Sequence, residues 1–252
     1  MMTVWSACHI HSSWSYDGRW SLKEIAAEFA RRGFRVVMIT DHDRGFTEER
    51  RLMHREACAE ASTSAMLIIP GIEYSDAANN VHVLVWGSVP FLGEGVPTAE
   101  LLRAVKASRG ISVLAHPSRR GAWRLFEPEW AQYLDGIELW NRKTDGWAPS
   151  RHAPLLLKRY SAHPFVGMDF HDRRQLFPLG MRIMTSEPIT EESMLANVKA
   201  GTYTPIAYGI ELDTVFRSGA NLVLSTAEAG RRAAAWTYRR LNGPNGIRAT
   251  DR

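Results

Sequence analysis

Short apolar runs alternate with helix-like stretches along most of this chain. Residues 3–11 read as a first strand. "RVVMIT" (35–40), "AMLIIP" (65–70), "VHVLVW" (81–86), "ISVLAH" (111–116), "GIELWN" (136–141), "HPFVGM" (163–168) and "MRIMT" (181–185) read as further strands, continuous enough to be buried on both faces. Between them "SLKEIAAEFARRG" (21–33) predicts a helix. Ser21 is placed to cap it, Glu24 completes a capping box, Leu22, Ile25, Ala26 and Phe29 keep helical spacing, and Gly33 ends it. "PTAELLRAVKASRG" (97–110) repeats the design with Thr98 as N-cap and Gly110 as stop, and 153–162, 190–201 and 225–241 are further helices. Strands alternating with helices imply parallel pairing and an α/β class, and the number of strands favours a barrel over an open sheet.

Composition narrows this picture only slightly. With 252 residues, 45% hydrophobic and 23% charged, the chain can bury a substantial core. A net charge of +4 suits an anionic partner. The excess is not a concentrated basic stripe; part of it lies in Arg231, Arg232, Arg239, Arg240, Arg248 and Arg252. Cys8 and Cys58, neither in a CxxC, give no disulfide framework. No apolar run reaches membrane-spanning length and no basic-then-apolar leader opens the chain, so the expected location is the cytoplasm, without a membrane partner. The stretch 242–252 is expected to be a flexible tail.

The polar residues change the picture more. In a parallel barrel, functional side chains collect at the C-terminal ends of the strands. The first strand here ends in His9 and His11; if it alternates faces, both imidazoles share one side, and Cys8 and Ile10 the other. Asp17 follows. The next run passes into "TDHD", giving Asp41, His42 and Asp43. Glu73 lies in "PGIE", by itself a turn; His116 ends its run; Asp169 and His171 follow theirs. His82 alone stands at the start of a run. Of nine histidines, only His54, His152 and His163 fall elsewhere. His54, in a helical stretch rich in Arg and Glu, is expected to be solvated, and His152 and His163 to be structural. This pattern points to a shared metal site.

Taken in order, His-x-His followed by Asp-Gly, then "TDH", "PGIE", a lone His, "AHP" and "GMDFH" resemble the motifs of the PHP (polymerase and histidinol phosphatase) family, over about residues 5–185. The resemblance implies a distorted (β/α)7 TIM-like barrel over residues 1–241, closed by helices over 186–241. It also implies a trinuclear metal centre held by His9, His11, Asp17, His42, Glu73, His82, His116, Asp169 and His171. By the same resemblance His9, His11, Glu73 and Asp169 hold one metal. Glu73 bridges to a second with His82 and His116, and Asp17, His42 and His171 hold the third. Six imidazoles and three carboxylates without a thiolate suit Zn²⁺, Mn²⁺ or Fe²⁺. Asp41 and Asp43 are candidates for supporting the histidines or for forming turns.

Clustered divalent metals activate water and neutralise phosphate charge. The implied activity is therefore a metal-dependent phosphoric ester hydrolase, acting on a small monoester of the nucleotide, sugar phosphate or histidinol phosphate type. Glu73, Asp169, His171 and Arg119 are the expected catalytic residues. Arg19, Arg119, Arg120 and Arg173, with Arg174, are the candidate phosphate-binding cations, and "AHPSR" makes Arg119 the foremost. Trp14, Trp20 and Trp123 could stack on a base or serve as packing residues. The alternatives are a 3′–5′ exonuclease acting on short oligonucleotides and a metal-stabilised module without activity; the filled ligand set disfavours the latter. An amidohydrolase-type reading expects a metal-bridging lysine at a strand end, and none is apparent in the pattern.

Overall fold

The computed structural model describes residues 1–160 and 162–242. Its strands are β1 (Met2–Ile10), β2 (Val36–Ile39), β3 (Asp41–His42), β4 (Leu67–Ile69), β5 (Gly71–Ser75), β6 (His82–Trp86), β7 (Ile111–Leu114), β8 (Gly136–Asn141), β9 (His163–Gly167), β10 (Leu179–Thr185), β11 (Tyr203–Ala207) and β12 (Ile210–Glu211). Its α-helices are α1 (Leu22–Arg31), α2 (Glu48–Ala61), α3 (Thr98–Ala107), α4 (Arg142–Asp145), α5 (Ala153–Arg159), α6 (Glu191–Ala200), α7 (Leu212–Arg217) and α8 (Ala220–Asn242).

The α/β class holds, but the arrangement is two six-stranded sheets rather than a uniform (β/α)7 barrel. One runs β12-β11-β10-β1-β2-β4, the other β3-β5-β6-β7-β8-β9. Pairing is parallel for β1-β2-β4 and β7-β8-β9 and antiparallel for β10 with β1 and β11 and for β5-β6-β7. One cause is the link between β5 and β6. Residues 76–81 are too few for a parallel crossover, which takes roughly a dozen residues or more, so the chain turns back on itself. The sheets meet where β2 passes through Thr40 into β3 and β4 through Pro70 into β5. They meet again where Met168 N donates to Cys8 O (3.0 Å), Phe170 N to His9 O (3.1 Å) and His11 N to Phe170 O (2.8 Å).

Two apolar clusters hold these layers. One joins both sheets through residues such as Val4, Cys8, Met38, Leu84, Ile137 and Phe165. The other packs α1 and α2 on the far side of β1, β2 and β4, through Ile25, Phe29 and Cys58 against Ala7, Ile10 and Ile39. Helix α1 sits there because its four apolar positions are buried and its start is fixed: Ser21 Oγ accepts from Glu24 N while Glu24 Oε2 accepts from Ser21 N.

Several boundaries differ from the sequence pattern. Pro97, not Thr98, occupies the N-cap of α3, and Thr98 is the first, buried, helical residue. Helix α5 stops at Arg159, and α8 begins at Ala220, five residues early. The closing segment is not purely helical, because β11 and β12 extend the first sheet beyond β10. Apart from Asn242, which ends α8, the expected tail lies outside the described residues. Among the described residues no helix is long and apolar enough to cross a membrane.

Candidate metal centre

The first site residues leave their strand through a break in its pleat. The β1–β2 register shifts between Cys8 and Ile10, and His9, the residue between, has φ of 59°. This bulge spoils the simple alternation: Cys8 joins the cluster between the sheets and Ile10 the one beneath α1, so they do not share a face. It also turns both imidazoles to one place, with ring centroids 5.2 Å apart. His116, just past β7, has φ of 26°, and Asp169, just past β9, has φ of 51°. A non-glycine residue held in the left-handed region costs roughly 1–3 kcal/mol. Three of the nine expected ligands carry this strain, and the bonds of Phe170 to His9 and His11 help to hold it in place.

Glu73 lies at the middle, on β5, the strand that the sequence pattern gave as a turn. It is almost wholly buried, and its carboxylate oxygens lie 2.7 Å from His82 Nδ1, 3.0 Å from His116 Nε2, 3.2 Å from His11 Nε2 and His42 Nδ1, and 3.4 Å from His9 Nε2. Asp169 lies 3.3 Å from His171, 3.6 Å from His11 and 3.8 Å from His9. Asp17 lies 3.0 Å from His171 and 3.6 Å from His42. All nine expected ligands therefore converge. They form four overlapping groups whose ligand atoms lie within 4.8 Å of one another: His11–Asp17–His42–His171, His9–Glu73–His116, His9–His11–Asp169 and His42–Glu73–His82. The first contains the expected Asp17–His42–His171 set with His11 added. Glu73 is shared by two groups, as in the expected division, while His9, His11 and His42, each given to one set there, are shared by two groups as well.

The chemistry of these atoms suits divalent cations. His9 Nε2, His11 Nε2, Asp17 Oδ1 and His116 Nδ1 are buried and make no hydrogen bond. A polar atom left this way costs about 1–3 kcal/mol unless something satisfies it. Burial, reinforced by the nearby His42 and His171, pushes His11 down to about 3, so its ring is neutral and its lone pair free. Burial works to raise the Glu73 carboxyl, but the charges of His9, His82 and His42 outweigh it and hold it well below the carboxylate range. Burial likewise opposes a charge on His9, yet Glu138, Glu73 and Asp169 raise it well above its ordinary value. The carboxylates thus draw positive charge into the cluster, and divalent ions supply that charge with the imidazoles neutral.

Behind the ligands stands a layer that the sequence showed only in part. Asp41, a candidate for this role, accepts from Ser12 N (2.6 Å), Ser12 Oγ (2.7 Å), Ser15 Oγ (2.8 Å) and His54 Nε2 (3.0 Å). Ser15 gives its one proton to Asp41, so its oxygen must accept from His11 Nδ1 (3.2 Å), which turns His11 Nε2 toward the cluster. His54 is therefore a buried member of this layer and not the solvated residue expected, because α2 lays that side of itself against Asp41. Among the described residues Asp43 makes no hydrogen bond to an imidazole; it accepts from Ser75 N (3.2 Å), and burial pushes its carboxyl up to about 6. Glu138, absent from the expected set, is fully buried on β8. One oxygen accepts from His9 Nδ1 (2.8 Å), the other from His116 N (2.7 Å) and Asn141 Nδ2 (2.9 Å). Its signal was available: a carboxylate inside the apolar run "GIELWN" is costly to bury without such partners.

A cavity of about 410 Å³ opens above the cluster, with Tyr16, Arg44, Asn79, Arg119 and Lys143 on its walls beside the ligands. Arg119 donates to Asn79 O (2.9 Å) and Oδ1 (3.1 Å) and lies 3.1 Å from His82 Nε2. The other expected cations stand apart from it. Arg120 donates to Asn79 O from outside the cavity lining; Arg19, 69% exposed, pairs with Asp172 at 3.9 Å; Arg173 and Arg174 are exposed in the short turn that Asp172 caps. The tryptophans are packing residues: Trp14 edges onto His54, Trp20 onto Phe170, and Trp123 stacks on His152. The aromatic ring on the cavity wall is Tyr16. Lys143 also went unseen in the sequence pattern. It stands two residues past the end of β8, so a lysine does stand near a strand end at this site.

Comparison with known proteins gives fold relatives only. No family model matches the chain, and no curated protein matches it. Solved structures do. A two-domain protein from Bacteroides vulgatus containing a predicted PHP-like metal-dependent phosphoesterase superposes with a TM-score of 0.61 at 16% identity over 83% of this chain. This chain spans 66% of that protein's length. A proposed metal-dependent phosphoesterase from Bifidobacterium adolescentis gives 0.52 at 18% identity, covering 78% of this chain and 96% of its own. An amidohydrolase from Chromobacterium violaceum, solved with bound sulfate and without metal, gives 0.51 at 16% identity, covering 77% and 96%. The chain shares the fold of these proteins.

Proposed function

We propose that the protein is a metal-dependent phosphoesterase of PHP type that hydrolyses a small phosphate monoester. The observation that carries this reading is the convergence of nine candidate ligands, buried Glu73 with five imidazoles around it at their middle, at the floor of a cavity with Arg119 on its wall. The fold relatives, two of them described as phosphoesterases, support it. His9, His11, Glu73 and Asp169, then Glu73, His82 and His116, then Asp17, His42 and His171 are the residues that would hold up to three Zn²⁺, Mn²⁺ or Fe²⁺ ions. Bound there, such ions supply Lewis acidity that activates water and neutralises phosphate oxygens. The chain's own part is to aim the imidazoles, His9 through Glu138 and His11 through Ser15, and to meet the phosphate with Arg119.

The cavity favours a small substrate. Its size is that of a small-ligand site, and its walls include Asp43, Asp76 and Glu94, which would repel a long polyanion. The exonuclease reading is the alternative that assay must exclude. Metal-loaded protein should release inorganic phosphate from one or more small phosphomonoesters. If labelled oligonucleotides are trimmed far faster than any monoester loses phosphate, the exonuclease reading replaces this one.

A further inference from the structure

Strand β8 offers none of the nine expected ligands, yet its exit aims three polar side chains at the cluster. Glu138 holds His9 and His116, as described. Asn141, fully buried, ties back to Glu138 through Nδ2 and caps α4 by accepting from Thr144 N at 2.9 Å. Its own N–H donates to Asp145 at 2.9 Å. The turn so fixed carries Lys143, whose ammonium lies 3.4 Å from Asp169 Oδ1 and 3.1 Å from His171 Nε2. The outer side of the turn is held too: Arg232 of α8 donates to Thr144 O (3.0 Å) and Asp145 O (2.9 Å).

Lys143 and Arg119 line the same cavity from different sides of the cluster. Arg119 stands at His82, whereas Lys143 stands at Asp169 and His171. Lys143 remains 41% exposed, so its long stem can follow a ligand without unpacking the core. We infer that Lys143 is a substrate-binding residue that holds a phosphate oxygen opposite Arg119 and favours the dianion of a monoester over the monoanion of a diester. This rests on the phosphoesterase reading above. A monoester carries one more negative charge at the reacting group than a diester does, and a cation fixed beside the phosphate stabilises the more highly charged species more. The point charge of an ammonium suffices for this; a forked guanidinium is not required.

The test uses full-length, metal-loaded protein in three forms: wild type, Lys143→Met and Lys143→Arg. Metal content is measured by elemental analysis, inorganic phosphate affinity by competition, and kcat/KM on p-nitrophenyl phosphate and bis-p-nitrophenyl phosphate. Lys143→Met should keep the metal content of wild type, bind phosphate about tenfold or more weakly, and lose a larger share of monoester than of diester activity. Lys143→Arg should restore much of the phosphate affinity. Unchanged phosphate affinity in Lys143→Met, or an equal loss on both esters, overturns the inference while leaving the phosphoesterase reading standing. Loss of metal in Lys143→Met also overturns it, since the lysine would then support the ligands and not the substrate. A wild-type protein that loads metal but neither binds phosphate nor cleaves either ester overturns the underlying reading itself.

Discussion

A buried carboxylate with five imidazoles within 3.4 Å is a junction on which every neighbouring group depends. Removing Glu73 leaves those imidazoles facing one another without the charge that draws them together. Glu73→Ala should lower bound metal by at least one equivalent and activity by about 10² or more, read by elemental analysis beside phosphate release. Glu138 makes a different prediction, because it reaches the candidate metal site through the His9 ring and the His116 backbone and not as a ligand. Glu138→Gln keeps the shape but weakens the hold on Nδ1, and metal affinity or activity should fall by roughly 10–100-fold. Titration of the apo-protein with Zn²⁺ or Mn²⁺ checks this, and unchanged affinity and activity would deny Glu138 its orienting role. At this scale the chain was partly legible in advance. His9, His11, His42, His116, Asp169 and His171 stand out because a polar residue ending an apolar run is conspicuous. Glu138, Lys143 and His54 did not, because what gives each its role is a partner distant in sequence: His9 for Glu138, Asp169 for Lys143, Asp41 for His54.

Among the elements, those built on local rules were readable and those set by neighbours were not. Helix α1 follows its cap and spacing closely. The bulge at His9 does not show in the pattern, since it arises where β1 must pair with β2 and also meet the segment around Phe170. The close approach of β9 to β8 gives a test at this scale. A Cβ on Gly167 would collide with the Glu138 carboxylate and come within 2.7 Å of His9 Cβ. Gly167→Ala should therefore damage the site without touching a ligand, lowering both melting temperature and metal content. Helix α8 is docked through Glu228, which takes charge-assisted bonds from Arg231 and Arg232 and accepts from Trp147 N at 3.1 Å. Burial works to raise this carboxyl, but those donors outweigh it and hold it at about 2, below its ordinary value of 4.5. A folded-state value below the unfolded one means stability that is present above about pH 4.5 and lost as pH falls toward about 2. Urea melts of wild type and Glu228→Gln should thus differ most at neutral pH and converge in acid; a constant gap across that range would contradict the assignment.

For the molecule as a whole, the candidate metal site joins its two sheets. β1 belongs to one sheet; β3, β5 and β6 belong to the other, and His116, Asp169 and His171 follow β7 and β9 of that same sheet. Ions bound among these ligands favour the folded state over the unfolded one. Stripping with a chelator should lower the melting temperature, and re-addition of Zn²⁺, Mn²⁺ or Fe²⁺ should restore it. A melting temperature indifferent to metal would argue against ligation across the sheets. The α/β class was readable from the alternation of runs. The split into two sheets was not, because it depends on how β5 turns back through β6 and on the added pair β11 and β12, whose sequences carry no strong pattern of their own.

The order of the ligands along the chain has a consequence for synthesis. His42, Glu73 and His82 form a complete group within residues 42–82, and His9–Glu73–His116 needs nothing beyond residue 116. The two remaining groups wait for Asp169 and His171, which lie near the far end of the second sheet. As the chain emerges from the ribosome N-terminus first, its ligand groups become available in sequence, with the pair that faces Lys143 completed last.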